Sequence, residues 1–159
     1  MTQQANSNAA VVVEQLRAWN PQAVSRVLQY RGDTTIVVPK ELLRPTAQQC
    51  KDNPALQFNL LSDATCVDRF PVEPRFELNY QLVSIPRLQR IGLRTSVSAQ
   101  HAVVDSLEPL WVGANWLERE IFDLFGIHFE GHTDLRRILL PEGFEGFPLR
   151  RDFPTEGRR

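Results

Sequence analysis

The chain has 159 residues, of which 42% are hydrophobic and 23% are charged, proportions typical of a globular protein. This length suffices for one domain with a buried core. The net charge of −1 provides no basic field for nucleic acid or anionic lipid. The apolar run at residues 9–13 is too short to span a bilayer. We therefore expect a soluble or peripheral intracellular protein with no transmembrane segment and no nucleic-acid partner.

The cysteine content argues against redox or zinc chemistry in this chain. Cys50 and Cys66 are the two cysteines, and neither has a second Cys or His at ligand spacing. A disulfide, a zinc site and an iron–sulfur cluster are therefore poorly supported. We expect ordinary thiols, with any redox chemistry carried out by a partner.

The N-terminal third predicts helices and short strands in alternation. Asn8 is placed to cap a helix that ends before Asn20-Pro21. Residues 23–29 and 34–38 read as two strands joined by an Arg-Gly-Asp turn. Residues 40–51 read as a second helix, with Pro45 near its first turn or at a kink.

The middle of the chain contains the clearest strands. Hydrophobic and polar residues alternate over residues 76–82 and again over 91–97, which indicates two half-buried strands. The short connection between them predicts an antiparallel hairpin. Residues 58–65 supply another strand. The predicted fold class is α+β, with a mostly antiparallel or mixed sheet flanked by helices.

A third helix is predicted before residue 126, followed by a long irregular tail. Spacings of three and four place its apolar residues on one stripe centred on Leu117. Gly126 stands where a left-handed C-terminal cap is expected. Residues 127–159 contain several Gly and Pro without a sustained period. We predict an α+β domain at residues 1–126 and a tail at 127–159 that docks on a partner.

The third helix is also unusually charged and aromatic. Arg119 and Asp123 fall one turn apart on the side away from the stripe, where they could pair. Trp116 projects to the same side, and Phe122 lies off the stripe. Two explanations remain open: a solvated helix whose aromatic residues are covered by the protein's own tail, or an interface with a partner, which the aromatic and Arg content favours.

Three catalytic interpretations of this region have little support. Glu118 and Glu120 point to opposite sides of one helix and cannot flank one scissile bond. The segment His128-Phe-Glu-Gly-His132 has Glu130 in the middle, unlike the zincin order, so we expect His132 to fix the turn at Gly131 by a hydrogen bond. The later glycines form no phosphate-binding loop.

Two short clusters of Arg and Asp lie in the tail. One comprises residues 134–137 and the other residues 149–152. Paired arginines can bind phosphate, but the net positive charge and aromatic platforms of a nucleic-acid binder are missing. We therefore interpret these clusters as ion pairs between chains.

These segments resemble a known family. Ala114-Asn-Trp-Leu-Glu-Arg-Glu-Ile-Phe-Asp-Leu-Phe-Gly-Ile-His-Phe-Glu-Gly-His132 is similar to the signature of the C subunit of NADH–quinone oxidoreductase, respiratory complex I, also called the 30-kilodalton subunit. Asp134-Leu-Arg-Arg-Ile-Leu-Leu-Pro141 and Glu145-Gly-Phe-Pro-Leu-Arg-Arg-Asp-Phe-Pro154 resemble the tail of that family. The resemblance runs from about residue 38 to residue 154, and Phe147 stands where the family often has His.

The resemblance implies a structural subunit in the hydrophilic peripheral arm of a proton-translocating NADH:quinone oxidoreductase. Such a component has no catalytic residue, cofactor or metal of its own, because partner subunits bind the FMN, iron–sulfur clusters and quinone. Its partners would be chiefly the large hydrogenase-like D subunit and neighbouring iron–sulfur subunits. It would be peripheral to the cytoplasmic side of the bacterial inner membrane.

The resemblance also implies structural or interface roles for a set of residues in the signature helix and tail. The set comprises Trp116, Glu118, Arg119, Glu120, Phe122, Asp123, Gly126, Gly131, His132, Asp134, Arg136, Arg137, Arg150 and Asp152. The charged members of the helix would form charge pairs, and those of the tail would hold it on a neighbour.

Three alternatives to complex I stay open. One is the same module in a membrane-bound hydrogenase, formate hydrogenlyase or photosynthetic NDH complex. Another is a stand-alone hydrolase that uses His128, Glu130 and His132. The last is an adaptor unrelated to respiration.

Overall fold

The computed structural model describes the backbone of residues 2–154 and the side chains of residues 9–154. None of its helices in that range is long and apolar enough to cross a membrane. Two short 3-10 turns, Pro21–Ala23 and Lys40–Leu42, lie between the regular elements. The regular elements are α1 Thr2–Trp19, β1 Arg26–Tyr30, β2 Asp33–Val37, α2 Leu43–Asp52, β3 Leu60–Asp68, β4 Phe76–Ser84, β5 Gln89–Val97, β6 Val103–Asp105, α3 Ala114–Phe125 and β7 His128–Glu130.

Five strands form one mixed sheet with the order β1-β2-β5-β4-β3. Strands β3, β4 and β5 pair antiparallel in succession, as do β1 and β2. The two antiparallel groups are joined by a parallel pairing of β2 with β5. The predicted α+β class with a mostly antiparallel, mixed sheet is therefore confirmed.

The core lies between one face of the sheet and the three helices. Alternate residues of β4 are fully buried on that face, and the intervening residues are more exposed. Helix α1 contacts β2 and β5, α2 contacts β5, and α3 contacts β3. One continuous hydrophobic cluster includes residues from all three helices. This arrangement fixes the position of α3 against the sheet.

The N-terminal elements follow the sequence prediction with shifted ends. Helix α1 begins at Thr2 rather than after Asn8 and ends before Asn20, whose side chain accepts a hydrogen bond from the Gln22 N–H at 3.0 Å. The β1–β2 connection is the predicted turn at Arg31-Gly32. Pro45 lies in the first turn of α2, where its missing N–H costs no helical hydrogen bond.

Strand β7 was not predicted. Residues 127 onward were expected to be irregular, but His128–Glu130 pairs in parallel with Val103–Asp105 of β6. Phe129, in the centre of β7, is 1% exposed and belongs to the core. The chain therefore contributes a further core strand after α3, and its irregular part begins only after that strand.

Tyr80, in the centre of β4, gives a test of the core. Its ring is fully buried, and its hydroxyl has no hydrogen-bond partner among the residues that the structure describes. An unpaired buried hydroxyl opposes folding, so Tyr80→Phe should leave the free energy of unfolding unchanged or raise it by up to about 1 kcal/mol. Leu78→Ala, the control on the same strand, should lower it by about 3 kcal/mol. Urea denaturation measures both. A clear loss of stability in Tyr80→Phe would contradict the prediction.

Candidate functional site

Helix α3 ends at a glycine that serves two purposes. Gly126 has φ of +71°, the left-handed conformation that an L side chain rarely adopts, and its N–H bonds the Phe122 carbonyl. A Cβ at this position would also lie 2.5 Å from the Phe147 ring and 2.8 Å from an Arg150 nitrogen. The predicted cap is confirmed. Glycine also allows the later part of the chain to approach the helix end closely.

The apolar side of α3 differs in part from the predicted stripe. Ala114, Ile121 and Phe125 are buried, whereas Leu117, the predicted centre, is only partly buried. Phe122 is partly buried as well and packs against the core, so it is less available to a partner than predicted. Trp116 is 61% exposed and agrees with an outward-facing position.

Glu118 is fully buried beneath α3. Its carboxylate accepts hydrogen bonds from the Ser106 hydroxyl at 2.5 Å and from the Leu107 N–H at 2.7 Å. Burial raises the pKa of Glu118 to about 7, although the two hydrogen bonds oppose the shift. The predicted charge pairing of this residue is wrong, because its contacts are neutral donors. Glu118 instead joins the loop after β6 to helix α3 through these two hydrogen bonds.

Asp123 is also fully buried, but it is surrounded by donors from the C-terminal segment, which we define as residues 133–154. One carboxylate oxygen accepts the backbone N–H groups of residues 138, 139 and 140 at 2.8–3.0 Å. The other accepts from the Arg137 guanidinium at 2.6 Å. Burial alone would raise the pKa of Asp123, but these hydrogen bonds hold it below its usual value. We call Asp123, Arg137 and these three N–H groups the Asp123 cluster.

Arg119 does not form the predicted pair with Asp123. Its guanidinium donates to the Arg136 carbonyl at 3.1 Å and to the Arg137 carbonyl at 3.3 Å. It also lies 5.2 Å from the centre of the Trp116 ring. The two helix residues are one turn apart as predicted, but both bind the C-terminal segment rather than each other.

The turn after β7 is held by Glu108, a residue that the sequence patterns did not single out. Its carboxylate accepts from the Thr133 N–H at 2.7 Å, the Thr133 hydroxyl at 2.6 Å and the Asn115 amide at 2.8 Å. Burial alone would raise the pKa of Glu108, yet these hydrogen bonds lower it to about 2. Glu108 belongs to no helix or strand, so periodicity gave no sign of its role.

His132 takes part in the same turn. Its Nδ1 accepts the Asp134 N–H at 3.0 Å, and its Nε2 lies 3.2 Å from the Asn115 carbonyl. Gly131 precedes it with φ of +80°, as expected for a turn that disfavours a Cβ. The predicted hydrogen-bonding role of His132 at this turn is confirmed. Because both ring nitrogens are engaged, His132 is poorly placed to join His128 in a hydrolase site.

A second cluster joins the far end of the C-terminal segment to the sheet. Arg75 donates two hydrogen bonds to Asp68, at 2.7 and 2.8 Å, and two to Asp152, at 2.6 and 2.9 Å. Asp68 also accepts the Arg151 N–H at 2.8 Å. Burial alone would raise the pKa of Asp68, but these donors lower it to about 2. We call Asp68, Arg75 and Asp152 the Arg75 cluster. Only Asp152 of the three was predicted.

Arg150 lies between the two clusters. It donates to the Phe125 carbonyl at 2.6 Å, and its guanidinium lies 5.1 Å from the centre of the Phe76 ring and 4.6 Å from that of Phe147. Burial and the neighbouring Arg75 charge lower its pKa. Arg150 therefore joins the C-terminal segment to the last residue of α3.

The other predicted residues lie at the surface. Arg136 and Asp134 form an ion pair at 3.0 Å with 73% and 48% of their side chains exposed. Glu120 is exposed on α3.

Cys50 and Cys66 are free thiols, and burial raises the pKa of each to about 12. The described residues contain no group of three or more His, Cys, Asp or Glu that could hold a metal ion.

Burial of Glu118 predicts a pH-dependent stability. Its pKa is raised from 4.5 to about 7 in the folded chain. The wild type should therefore lose stability relative to Glu118→Gln as the pH rises through this window, by about 3 kcal/mol in total. Urea denaturation of both proteins at intervals from pH 5 to 8 measures the difference. The control is Glu120→Gln, which removes an exposed carboxylate from the same helix. The stability difference between the wild type and Glu120→Gln should stay constant over this pH range, and a change as large as that found for Glu118→Gln would contradict the assignment to burial.

Asp123→Asn tests the anchor of the C-terminal segment. The amide keeps one acceptor oxygen but loses the charge that faces Arg137, so the free energy of unfolding should fall by about 3 kcal/mol. Asp134→Asn removes a carboxylate from the exposed ion pair and should change stability by no more than the error of the measurement. Denaturant unfolding compares the two. Equal losses would argue against the buried cluster as the anchor.

Comparison with known proteins identifies the family. The family model described as "Respiratory-chain NADH dehydrogenase, 30 Kd subunit" matches residues 36–159. The C subunit of the NADH-quinone oxidoreductase of Roseiflexus sp. (strain RS-1) is 46% identical over 145 residues, which cover 91% of this chain and 83% of that protein. Its counterpart in Geotalea uraniireducens is 38% identical over 157 residues, 99% and 93% of the two chains.

Solved structures share the fold. The trypsin-resistant fragment (1-134) of Nqo5 is 33% identical and superposes with a TM-score of 0.70 over 80% of this chain and 99% of the fragment. A chain of the membrane-bound sulfane sulfur reductase, an archaeal respiratory membrane complex, superposes with a TM-score of 0.76 over 92% of this chain and 86% of that one. At 24% identity, it supports the fold alone. On the family model and these relatives, the chain belongs to the respiratory-chain NADH dehydrogenase 30 Kd subunit family.

Proposed function

We propose that the chain is a structural subunit of the peripheral arm of a proton-translocating NADH:quinone oxidoreductase. One observation carries the proposal beyond family membership: three of the four charged residues of the signature helix are engaged by the chain itself. Glu118 binds a loop, while Asp123 and Arg119 bind the C-terminal segment. Buried side chains that bind other parts of the same chain maintain the shape of its surface rather than react with a substrate.

The redox cofactors are assigned to partner subunits in this proposal. FMN, iron–sulfur clusters and quinone need nucleotide loops, cysteine ligand sets or a dedicated cavity. The two cysteines lie on different elements, and their raised pKa values disfavour the thiolate that ligates iron. The chain contributes to the enzyme as a positioning subunit.

The proposed partners are the large hydrogenase-like D subunit and neighbouring iron–sulfur subunits. Trp116 on α3 and two leucines of the C-terminal segment, Leu139 and Leu149, are more than half exposed. Large apolar side chains of this kind are typical anchors of protein–protein interfaces. Binding through them would hold the chain at the cytoplasmic side of the bacterial inner membrane as a peripheral subunit.

A related respiratory assembly is the second candidate. A chain of the sulfane sulfur reductase complex, an archaeal respiratory membrane complex, has the same fold, and this likeness is the reason to keep the second candidate. The partners that co-purify with the chain from detergent-solubilised membranes separate the two candidates. The large hydrogenase-like D subunit together with NADH:quinone reductase activity supports the first. Hydrogenase partners without that activity would support the second.

Trp116→Ala tests the proposed interface. Loss of an exposed aromatic anchor should reduce recovery of partner subunits and quinone reductase activity by about fivefold or more. The thermal midpoint of the isolated chain should change little, because the side chain is largely exposed. Affinity purification with mass spectrometry, together with the activity assay, measures this. Trp19→Ala, on α1 and 40% exposed, is the matched control and should assemble normally. Normal assembly of Trp116→Ala would contradict the interface.

A further inference from the structure

We propose that the cleft between helix α1 and the free edge of strand β1 binds an extended peptide segment of another protein, which pairs with β1 as an additional strand. The segment has small side chains at both ends of the cleft and a cation followed by an anion between them. This inference goes beyond the proposed function and does not rest on it. The cleft lies at the sheet edge opposite β3, the strand against which α3 packs.

Strand β1 presents unpaired backbone groups at this edge. It is the outermost strand, so only β2 pairs with it. The two residues of the β1–β2 turn both have positive φ, a turn type that makes Tyr30 and Asp33 a hydrogen-bonded pair. Hydrogen-bonded pairs alternate along an antiparallel ladder, so the N–H and carbonyl groups of Val27 and Gln29 point away from β2. These groups are available to a further strand.

The two edges of the sheet differ in regularity. The pairing of β3 with β4 contains a register shift between Leu61 and Asp63. The pairing of β1 with β2 has no shift over its whole length. A bulge disrupts an edge for further pairing, whereas a regular edge accepts another strand. β1 is therefore the edge that is suited to extension.

A cleft of about 630 Å³ lies beside the free edge of β1. Residues of α1 form one wall, and Val27 and Gln29 of β1 belong to the other. The two residues with unpaired backbone groups thus also line the cleft. A single extended segment would bond the edge through its main chain and fill the cleft with alternate side chains, as peptides do in other domains that bind them by strand addition.

The α1 wall determines the chemistry of the occupant. Ala10, Glu14 and Ala18 line the cleft at intervals of about 6 Å along the helix axis. Alternate residues of a strand are about 6.8 Å apart, so successive side chains of the occupant meet successive positions of α1. Alanine at both ends leaves space for small side chains.

The charges on the α1 wall set the order of charges in the occupant. Glu14 and Arg17 are exposed beside the cleft, and neither forms an ion pair within the described part of the chain. A short connection joins the end of α1 to the start of β1, so an occupant antiparallel to β1 runs in the direction of α1. A cation opposite Glu14 and then an anion opposite Arg17 complement this wall.

A buried hydroxyl at the cleft is a second observation that points to an occupant. Thr34 lies opposite Gln29 in the β1–β2 pairing and lines the cleft. It is 4% exposed, and its hydroxyl has no hydrogen-bond partner among the residues that the structure describes. A buried hydroxyl without a partner costs stability. A small hydroxyl side chain at this end of the occupant supplies the partner.

The experiment titrates the full chain with the fluorescein-labelled peptide Thr-Thr-Lys-Thr-Glu-Thr-Val and measures anisotropy. Its first, third, fifth and seventh residues face the cleft. N-methylation of the Lys and Glu nitrogens removes donors that face β1 and should weaken binding at least about tenfold. N-methylation of the fourth and sixth residues affects N–H groups that point to solvent and should change affinity by less than about twofold. Equal losses, or no saturable binding below about 1 mM, would overturn the proposal.

Hydrogen exchange measured by NMR locates the bound peptide. The amides of Val27 and Gln29 should exchange at least about tenfold more slowly in the peptide-bound chain, because the added strand pairs with them. The Leu28 amide already faces β2 and should exchange at an unchanged rate. Unchanged exchange at Val27 and Gln29 would show that the peptide binds elsewhere and would overturn the proposal.

Variants of α1 test the cleft wall. Ala10→Phe fills the cleft from an exposed helix position, so it should abolish peptide binding without lowering the thermal midpoint. Val11→Phe, at the next position and 44% exposed, lies outside the cleft and is the matched control. The double variant Glu14→Lys and Arg17→Glu should bind the peptide about fivefold more weakly and prefer a peptide with Lys and Glu exchanged. Full binding by Ala10→Phe would overturn the proposal.

A second copy of the chain is the alternative occupant, and sedimentation of the wild type distinguishes the two. We expect a monomer. A dimer that Ala10→Phe dissociates would show that β1 pairs with its own copy, which would overturn the peptide proposal. None of these results bears on the proposed function, which rests on α3 and the C-terminal segment.

Discussion

The carboxylate of Asp123 is the interaction on which the arrangement of the C-terminal half depends. Three consecutive N–H groups converge on one of its oxygens, which holds residues 138–140 against α3. That position brings the carbonyls of residues 136 and 137 to Arg119. It also leads the chain back past Gly126, where the helix end has no side chain to obstruct Phe147 and Arg150. The Asp123 side chain thus accepts backbone N–H groups that a neighbouring strand would accept in a β-sheet.

Two buried carboxylates on the same helix illustrate how surroundings determine charge. Glu118 has only a hydroxyl and one N–H as donors, so desolvation prevails and its pKa rises. Asp123 has three N–H groups and a guanidinium, so the charged form prevails and its pKa falls. The signature therefore contains one carboxylate that packs as part of the core and one that organises a neighbouring segment. Their identical charge in the sequence conceals opposite roles.

The sequence predicted those features that depend on local geometry. The alternation over β4, the Pro45 position and the Gly126 cap follow from rules that act within a few residues. Features that depend on distant pairing were missed or wrong. Arg75 lies 77 residues from Asp152, and nothing near Arg75 indicates that partner. The expected Arg119–Asp123 pair satisfied helical spacing, but the C-terminal segment brought better donors and acceptors to both residues.

The parallel pairing of β2 with β5 has a consequence for how the chain folds during synthesis. The β1–β2 hairpin forms from neighbouring residues, but its place in the sheet exists only after β5 has been made, more than fifty residues later. Parallel strands close long loops and pair slowly. During synthesis the β1–β2 hairpin and α1 therefore expose apolar surface until β5 has been made. In that interval β2 is an unpaired edge strand, which can associate with other chains. Rapid pairing of β2 with β5, once the β3–β4–β5 meander has formed, shortens that interval. The order of the strands along the chain therefore affects the yield of folded protein as well as the sheet topology.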